Sequence, residues 1–152
     1  MLDLGCSTGE VTYEMAVELR VCKSYGADIY PADEYVAPAV AAECEAKWPD
    51  SRLEYVPIDT HLCEIALPDQ SVQLITCIMS MHHFRDFVKM TSEIKRVLKP
   101  NGYLFIREHD VPPENGKLAT ELISMHQKFS DHRPEEPISF WGRRDLRVEL
   151  NL

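Results

Sequence analysis

Apolar residues fall into short clusters that alternate between two periods along the chain. Met1 to Leu4 reads as a buried strand that runs straight into a glycine-containing loop. Val11, Met15 and Leu19 then recur at helical spacing and predict a helix over 10–20, facing inward along that stripe. Tyr25 to Tyr30 is the second strand. Pro38 stands at the first turn of a second helix, which carries Val40, Ala41 and Cys44 on one face up to Trp48. Leu53 to Ile58 forms a third strand. Its Pro57 would remove a ladder hydrogen bond from a central strand, so an edge position is expected. Ser71 to Ser80 contains the almost unbroken apolar run Leu74 to Met79, as expected for a central parallel strand covered on both faces.

A third helix over 86–99 turns Phe87, Met90, Ile94, Val97 and Leu98 inward, and Pro100-Asn101-Gly102 ends it in a turn. Tyr103 to Arg107 is the fifth strand. Glu114 to Phe129 is a last helix, with Leu118, Leu122, Met125 and Phe129 on one stripe. Five strands with crossover helices predict an α/β fold: a Rossmann-like, doubly wound, mostly parallel sheet with helices on both faces. Residues 1–152 are expected to form a single domain. The first strand starts at residue 1 and no two further strands are legible after Phe129. A core trimmed of peripheral elements, at the N-terminus and at the C-terminus, is therefore the expectation.

Composition changes this picture in three ways. A formal net charge of −9 makes the domain a poor ligand for nucleic acid, because phosphate binding rests on clustered Lys and Arg. Arg133, Arg143, Arg144 and Arg147 are the one candidate basic patch, and a solvated helix face explains them as well. The five cysteines are scattered without metal-finger spacing, which points to free thiols and a cytoplasmic protein. No apolar run approaches the roughly 18 residues of a membrane span.

Candidate chemistry gathers after the first strand. In an open α/β sheet, ligands bind beyond the carboxyl ends of the strands where strand order reverses, and Asp3 to Gly9 lies at such a place. Gly5 and Gly9 allow a tight turn and close backbone approach, and the following helix offers its amides. Asp28, at the end of the second strand, suits the two hydroxyls of a ribose. The order Gly5-Cys6-Ser7-Thr8-Gly9 departs from G-x-G-x-x-G, which argues against a dinucleotide.

The stretch Leu2-Asp3-Leu4-Gly5-Cys6-Ser7-Thr8-Gly9 resembles the first motif of class I S-adenosylmethionine-dependent methyltransferases. Tyr25-Gly26-Ala27-Asp28 resembles their second motif. Leu67 to Leu74 with Met81-His82-His83-Phe84 resembles the fourth, and Glu93 to Leu104 the approach to their fifth strand. The similarity spans roughly residues 1 to 110 and is strongest to the small-molecule "type 11" branch. It implies S-adenosylmethionine as cofactor, with Asp3, Gly5 and Gly9 bordering its methionine part and Cys6 and Ser7 in the same loop. Asp28 would hold the ribose, and Asp59 with Thr60 would lie beside the adenine. Two positions depart from the family pattern: Ser7 replaces the middle glycine, and Gln73 stands where an acid is usual.

Methyl transfer from a sulfonium is an in-line displacement, so positioning dominates, and a base helps when the acceptor carries a proton. His82 and His83 after the fourth strand, and Glu108, His109 and Asp110 after the fifth, are the ionisable groups on the ligand side. His83, Glu108 and His109 are the candidate catalytic residues. Packing of His83 and a local ion-pair network at Arg107 to Asp110 explain the same residues without chemistry. No metal site is expected, because adjacent strand residues point to opposite faces. Phe140 and Trp141 either wall a substrate or close the core. The methyl acceptor is unidentified, with a small molecule ahead of RNA. RNA cap or ribose methylation, and a cofactor-binding subunit without catalysis, stand as alternatives.

Overall fold

The computed structural model describes residues 1–7, 9–28, 42–43, 46–47, 49, 52–59, 63–84, 86–108 and 121. Along the chain these form β1 (Leu2–Leu4), α1 (Glu10–Glu18), β2 (Lys23–Asp28), β3 (Arg52–Asp59), β4 (Glu64–Ile65) and β5 (Val72–Ile78). A 3-10 turn (Met81–His83), α2 (Phe87–Val97) and β6 (Leu98–Arg107) follow. They build one six-stranded sheet in the order β4-β3-β2-β1-β5-β6. Every pairing is parallel except β3 with β4. The α/β, Rossmann-like architecture expected from the alternation of periods is present.

β1 is three residues long, yet it is paired on both sides: Leu2, Asp3 and Leu4 face Tyr25, Gly26 and Ala27 on β2, and Ile75, Thr76 and Cys77 on β5. The chain steps outward from β1 to β4, then returns across β1 to start β5. Strand order therefore reverses between β1 and β5, and the crevice at their carboxyl ends is the expected ligand position. The β1–α1–β2 and β5–α2–β6 crossovers step in opposite directions, so right-handed connection sets α1 and α2 on opposite faces.

Side-chain alternation agrees with this placement. Leu2 and Leu4 join Ile75, Cys77, Met90, Ile94 and Val97 in the main core under α2, all fully buried or nearly so. Asp3 points the other way and meets Thr12 of α1. The α2 stripe expected from the sequence is realised by Phe87, Met90, Ile94 and Val97, with Thr91 beside them. Asp86 caps the helix by accepting from the Lys89 amide at 2.9 Å. Leu98 is already extended, two residues before Pro100, so the helix stops at Val97 and passes directly into β6. Asn101, left-handed at φ 61°, lies where the β5–β6 register shifts. Its carbonyl accepts from Gln73 Nε2 at 3.1 Å, which gives the unusual Gln73 a structural partner.

Two sequence expectations change. The α1 stripe is rotated: Val11 and Leu19 are each 56% exposed, and the helix buries Thr12, Tyr13 and Ala16 instead. The sheet surface beneath α1 carries Asp3 and Thr76, so a hydroxyl fits there better than an apolar side chain. β3 is not the edge, because β4 pairs with its last two residues, Ile58 and Asp59, just beyond Pro57. That two-residue strand is too short to show a period. It is fixed by Arg96 of α2, whose guanidinium donates to the carbonyls of Ile65 and Leu67, at 2.8 Å each, and pairs with Glu93 and Asp69. Apart from Glu121, which is helical, the expected helix over 114–129 lies outside the described residues, as do the segments holding Phe140, Trp141 and the four C-terminal arginines.

Candidate cofactor site

The site is built around the sharp exit from β1. Gly5 and Gly9 both adopt left-handed conformations, φ 76° and 81°, which an L side chain enters only with strain. The Gly5 and Cys6 amides donate to the Ala27 carbonyl at 2.7 and 3.2 Å, holding the loop against the end of β2. Gly9 is the N-cap of α1, and among the described residues no side chain caps the helix. The first-turn amides of α1 therefore present partial positive charge toward the crevice, suited to a carboxylate. Ser7, also left-handed at φ 48°, donates its amide to Asp28 Oδ2 at 2.7 Å. Asp28 is thereby fixed at loop level, half-buried at the end of β2.

Asp3 supports the loop from below. It is 4% exposed; Thr12 donates to its Oδ2 at 2.6 Å and Thr76 to its Oδ1 at 2.7 Å. Burial pushes the Asp3 carboxyl up from its ordinary range, the two hydroxyls pull it down, and the Asp28 charge adds a further upward push. Cys6 packs beneath the same loop. Burial first, then the charges of Asp28 and Asp3, push its thiol up to about 12, so it is a packing group and not a nucleophile at neutral pH.

On the other side of the switch point, Ser80 is buried beneath Gly5 and donates to the Leu4 carbonyl at 2.7 Å. Its own carbonyl accepts from the His83 amide at 3.0 Å, which closes the 3-10 turn and leaves His83 half-buried at the carboxyl end of β5. Glu108 follows β6 and is half-buried; its charge reaches the Cys77 thiol within β5, which places it at the same end of the sheet. The fold thus brings Asp3, Gly5, Cys6, Ser7, Gly9, Asp28, His83 and Glu108 to one end of the sheet. Asp59 ends β3 at that end, with only its backbone described. Thr60 and His109 lie outside the described residues. Among the described residues no group of three or more His, Cys, Asp or Glu side chains could hold a metal ion.

No local sequence pattern singles out Thr12 or Ser80. For Thr76 the one signal in the sequence is a hydroxyl inside the apolar run of β5.

A model of the methyltransferase domain family matches residues 2–106. The chain belongs to that family. The loop's chemistry fits S-adenosylmethionine: helix amides suit a carboxylate, and the Asp28 carboxylate suits a pair of hydroxyls. The chain is 27% identical over 144 residues to the uncharacterized methyltransferase YcgJ of Bacillus subtilis, covering 93% of this chain and 53% of that protein. The crystal structure of YcgJ superposes with a TM-score of 0.61 at 26% identity, over 83% of this chain and 50% of that one. The demethylmenaquinone methyltransferase of Thermus thermophilus is 29% identical over 114 residues, 75% of this chain and 49% of that protein. A S-adenosylmethionine-dependent methyltransferase structure from Aquifex aeolicus gives a TM-score of 0.54 at 26% identity, over 81% of this chain and 69% of that chain. The chain spans about half the length of the curated relatives it matches. No helix among the described residues is long and apolar enough to cross a membrane.

Proposed function

We propose that residues 1–152 form one S-adenosylmethionine-binding domain that methylates a small-molecule acceptor. The observation that carries this reading is the joint placement of the uncapped α1 N-terminus and Asp28, which the Ser7 amide holds in place at the switch point. In this reading Gly5, Cys6, Ser7 and Gly9 hold the methionine part with Asp3 beneath them. Asp28 accepts from the ribose hydroxyls, and Asp59 with Thr60 flanks the adenine.

When bound, S-adenosylmethionine supplies an electrophilic methyl group on a sulfonium. An acceptor lone pair would take that methyl group, the departing sulfur keeping the electron pair of the broken carbon–sulfur bond. This chain's part is to hold the two in line and to take the acceptor's proton, with His83, Glu108 and His109 the candidate bases. Net charge and relatives named for quinone biosynthesis favour a small acceptor over RNA.

Calorimetric titration with S-adenosylmethionine and S-adenosylhomocysteine tests the proposal. The wild-type chain is expected to bind both. Asp28→Ala removes hydrogen bonds from a charged acceptor, each worth about 1.5–3 kcal/mol, and should weaken binding at least about tenfold. A folded wild-type chain that binds neither ligand sinks the proposal.

A further inference from the structure

Gly5 and Ser80 share a space that only one side chain can fill. A Cβ added to Gly5 would fall inside the Ser80 side chain, 2.5 Å from Oγ, while the Ser80 Cα stays at an ordinary 3.8 Å. By contrast, among the described residues a Cβ on Gly9 would meet only Leu53 Cδ2, at an ordinary 3.7 Å, so its left-handed φ is the described reason for glycine there.

Ser80 is 6% exposed. Met79, left-handed at φ 57°, turns the chain out of β5, and its amide bonds the Arg107 carbonyl at 2.8 Å. Ser80 Oγ donates to the Leu4 carbonyl at 2.7 Å and lies 3.0 Å from Cys77 Sγ. Its backbone carbonyl starts the turn that carries His83. One residue thus touches the last carbonyl of β1, the first glycine of the loop and the turn on the acceptor side.

We infer that Ser80 is a positioning residue: its side chain seats the Gly5 end of the cofactor loop and sets the spacing between that loop and the His83 turn. Its link to cofactor affinity rests on the proposed S-adenosylmethionine site. Gly5 is then glycine on two counts, its left-handed φ of 76° and the Ser80 side chain that occupies the position of its missing Cβ, and only the second part of the penalty depends on Ser80.

Five chains test this: wild type, Ser80→Gly, Gly5→Ala, the double variant of those two, and Ser80→Ala, which keeps the Cβ and loses only the hydroxyl. Two measurements are made, amide hydrogen exchange without ligand and calorimetric titration with S-adenosylhomocysteine. Ser80→Gly and Ser80→Ala should accelerate exchange at the Gly5 and Cys6 amides, with α2 and β6 unchanged. A merely structural defect would accelerate exchange throughout. Ser80→Gly should bind about tenfold more weakly than wild type. Gly5→Ala should bind most weakly, and adding Ser80→Gly to it should recover at least about fivefold, because the clashing atoms are gone.

Wild-type exchange in both Ser80 variants overturns the inference, as does a double variant that binds no better than Gly5→Ala. If the wild type binds no ligand, the proposed function fails, and the exchange data still decide the role of Ser80.

Discussion

Thr12→Val isolates what the loop support contributes. The substitution is nearly isosteric at a fully buried position, and Val and Thr have similar helix propensities, so the change reduces to one hydroxyl. That hydroxyl donates at 2.6 Å to Asp3 Oδ2, in a carboxylate that is 4% exposed. A hydrogen bond to a charged group contributes about 1.5–3 kcal/mol, and Oδ2 would be left buried without that donor. The expected loss at neutral pH is about 2 kcal/mol.

The sign of the pH dependence follows from Asp3. Its folded pKa is raised, chiefly by burial, above the ordinary 3.8. Between those two values the folded state holds a proton that the unfolded state has released, so stability falls as pH rises through that window. Removing Thr12's hydroxyl raises the folded pKa further, each additional unit costing about 1.4 kcal/mol. The variant's penalty is therefore full above its own folded pKa and shrinks as pH falls toward 3.8, where Asp3 is protonated in both chains. Urea unfolding followed by far-UV circular dichroism, at neutral pH and in steps downward, measures the difference. A penalty of constant size across that range, or none at neutral pH, refutes the account.

Ser7→Gly should stabilise the chain by about 0.5–1 kcal/mol. Relief of a left-handed L-residue, about 1–2 kcal/mol, exceeds the extra unfolded-state entropy of glycine, and the amide bond to Asp28 is kept. A lower thermal midpoint than wild type would show that the Ser7 side chain makes a contribution the backbone argument omits. Among the cysteines in described positions, Cys22 is exposed whereas Cys6 and Cys77 are buried with thiols pushed up to about 12. Native alkylation followed by peptide mapping should therefore modify Cys22 well before Cys6 or Cys77. Equal rates would mean that the ends of β1 and β5 open readily to solvent.

What the sequence shows clearly is what short-range pattern encodes. β5 is legible because burial on both faces leaves a continuous apolar run, and α2 because its stripe meets an apolar sheet surface. The loop is legible because left-handed backbone selects glycine at Gly5 and Gly9, and Asp28 stands at a strand end. The inward face of α1 is misread, since the surface beneath it is polar and the buried residue there is Thr12, not Val11. Thr76 and Ser80 escape notice for a related reason. Their partners, Asp3 and Leu4, lie 73 and 76 positions away, and such pairings leave no local period. β4 is held by the guanidinium of Arg96, whose reach depends on the folded path of the chain.

The position of β1 governs when the loop can exist. Both of its ladders join it to strands made later, and the second, β5, begins only at Val72. Residues 2–9 are thus made well before β5 and seated only after it, since closing so long a loop costs entropy before the pairing repays it. Until β5 and α2 emerge, Leu2 and Leu4 have no core to enter, and the nascent chain displays an unpaired apolar strand. Synthesis that stalls before Val97 would leave a chain with β1, β2 and β3 formed at most in part and no ligand loop, a species prone to aggregation and a natural client for chaperones.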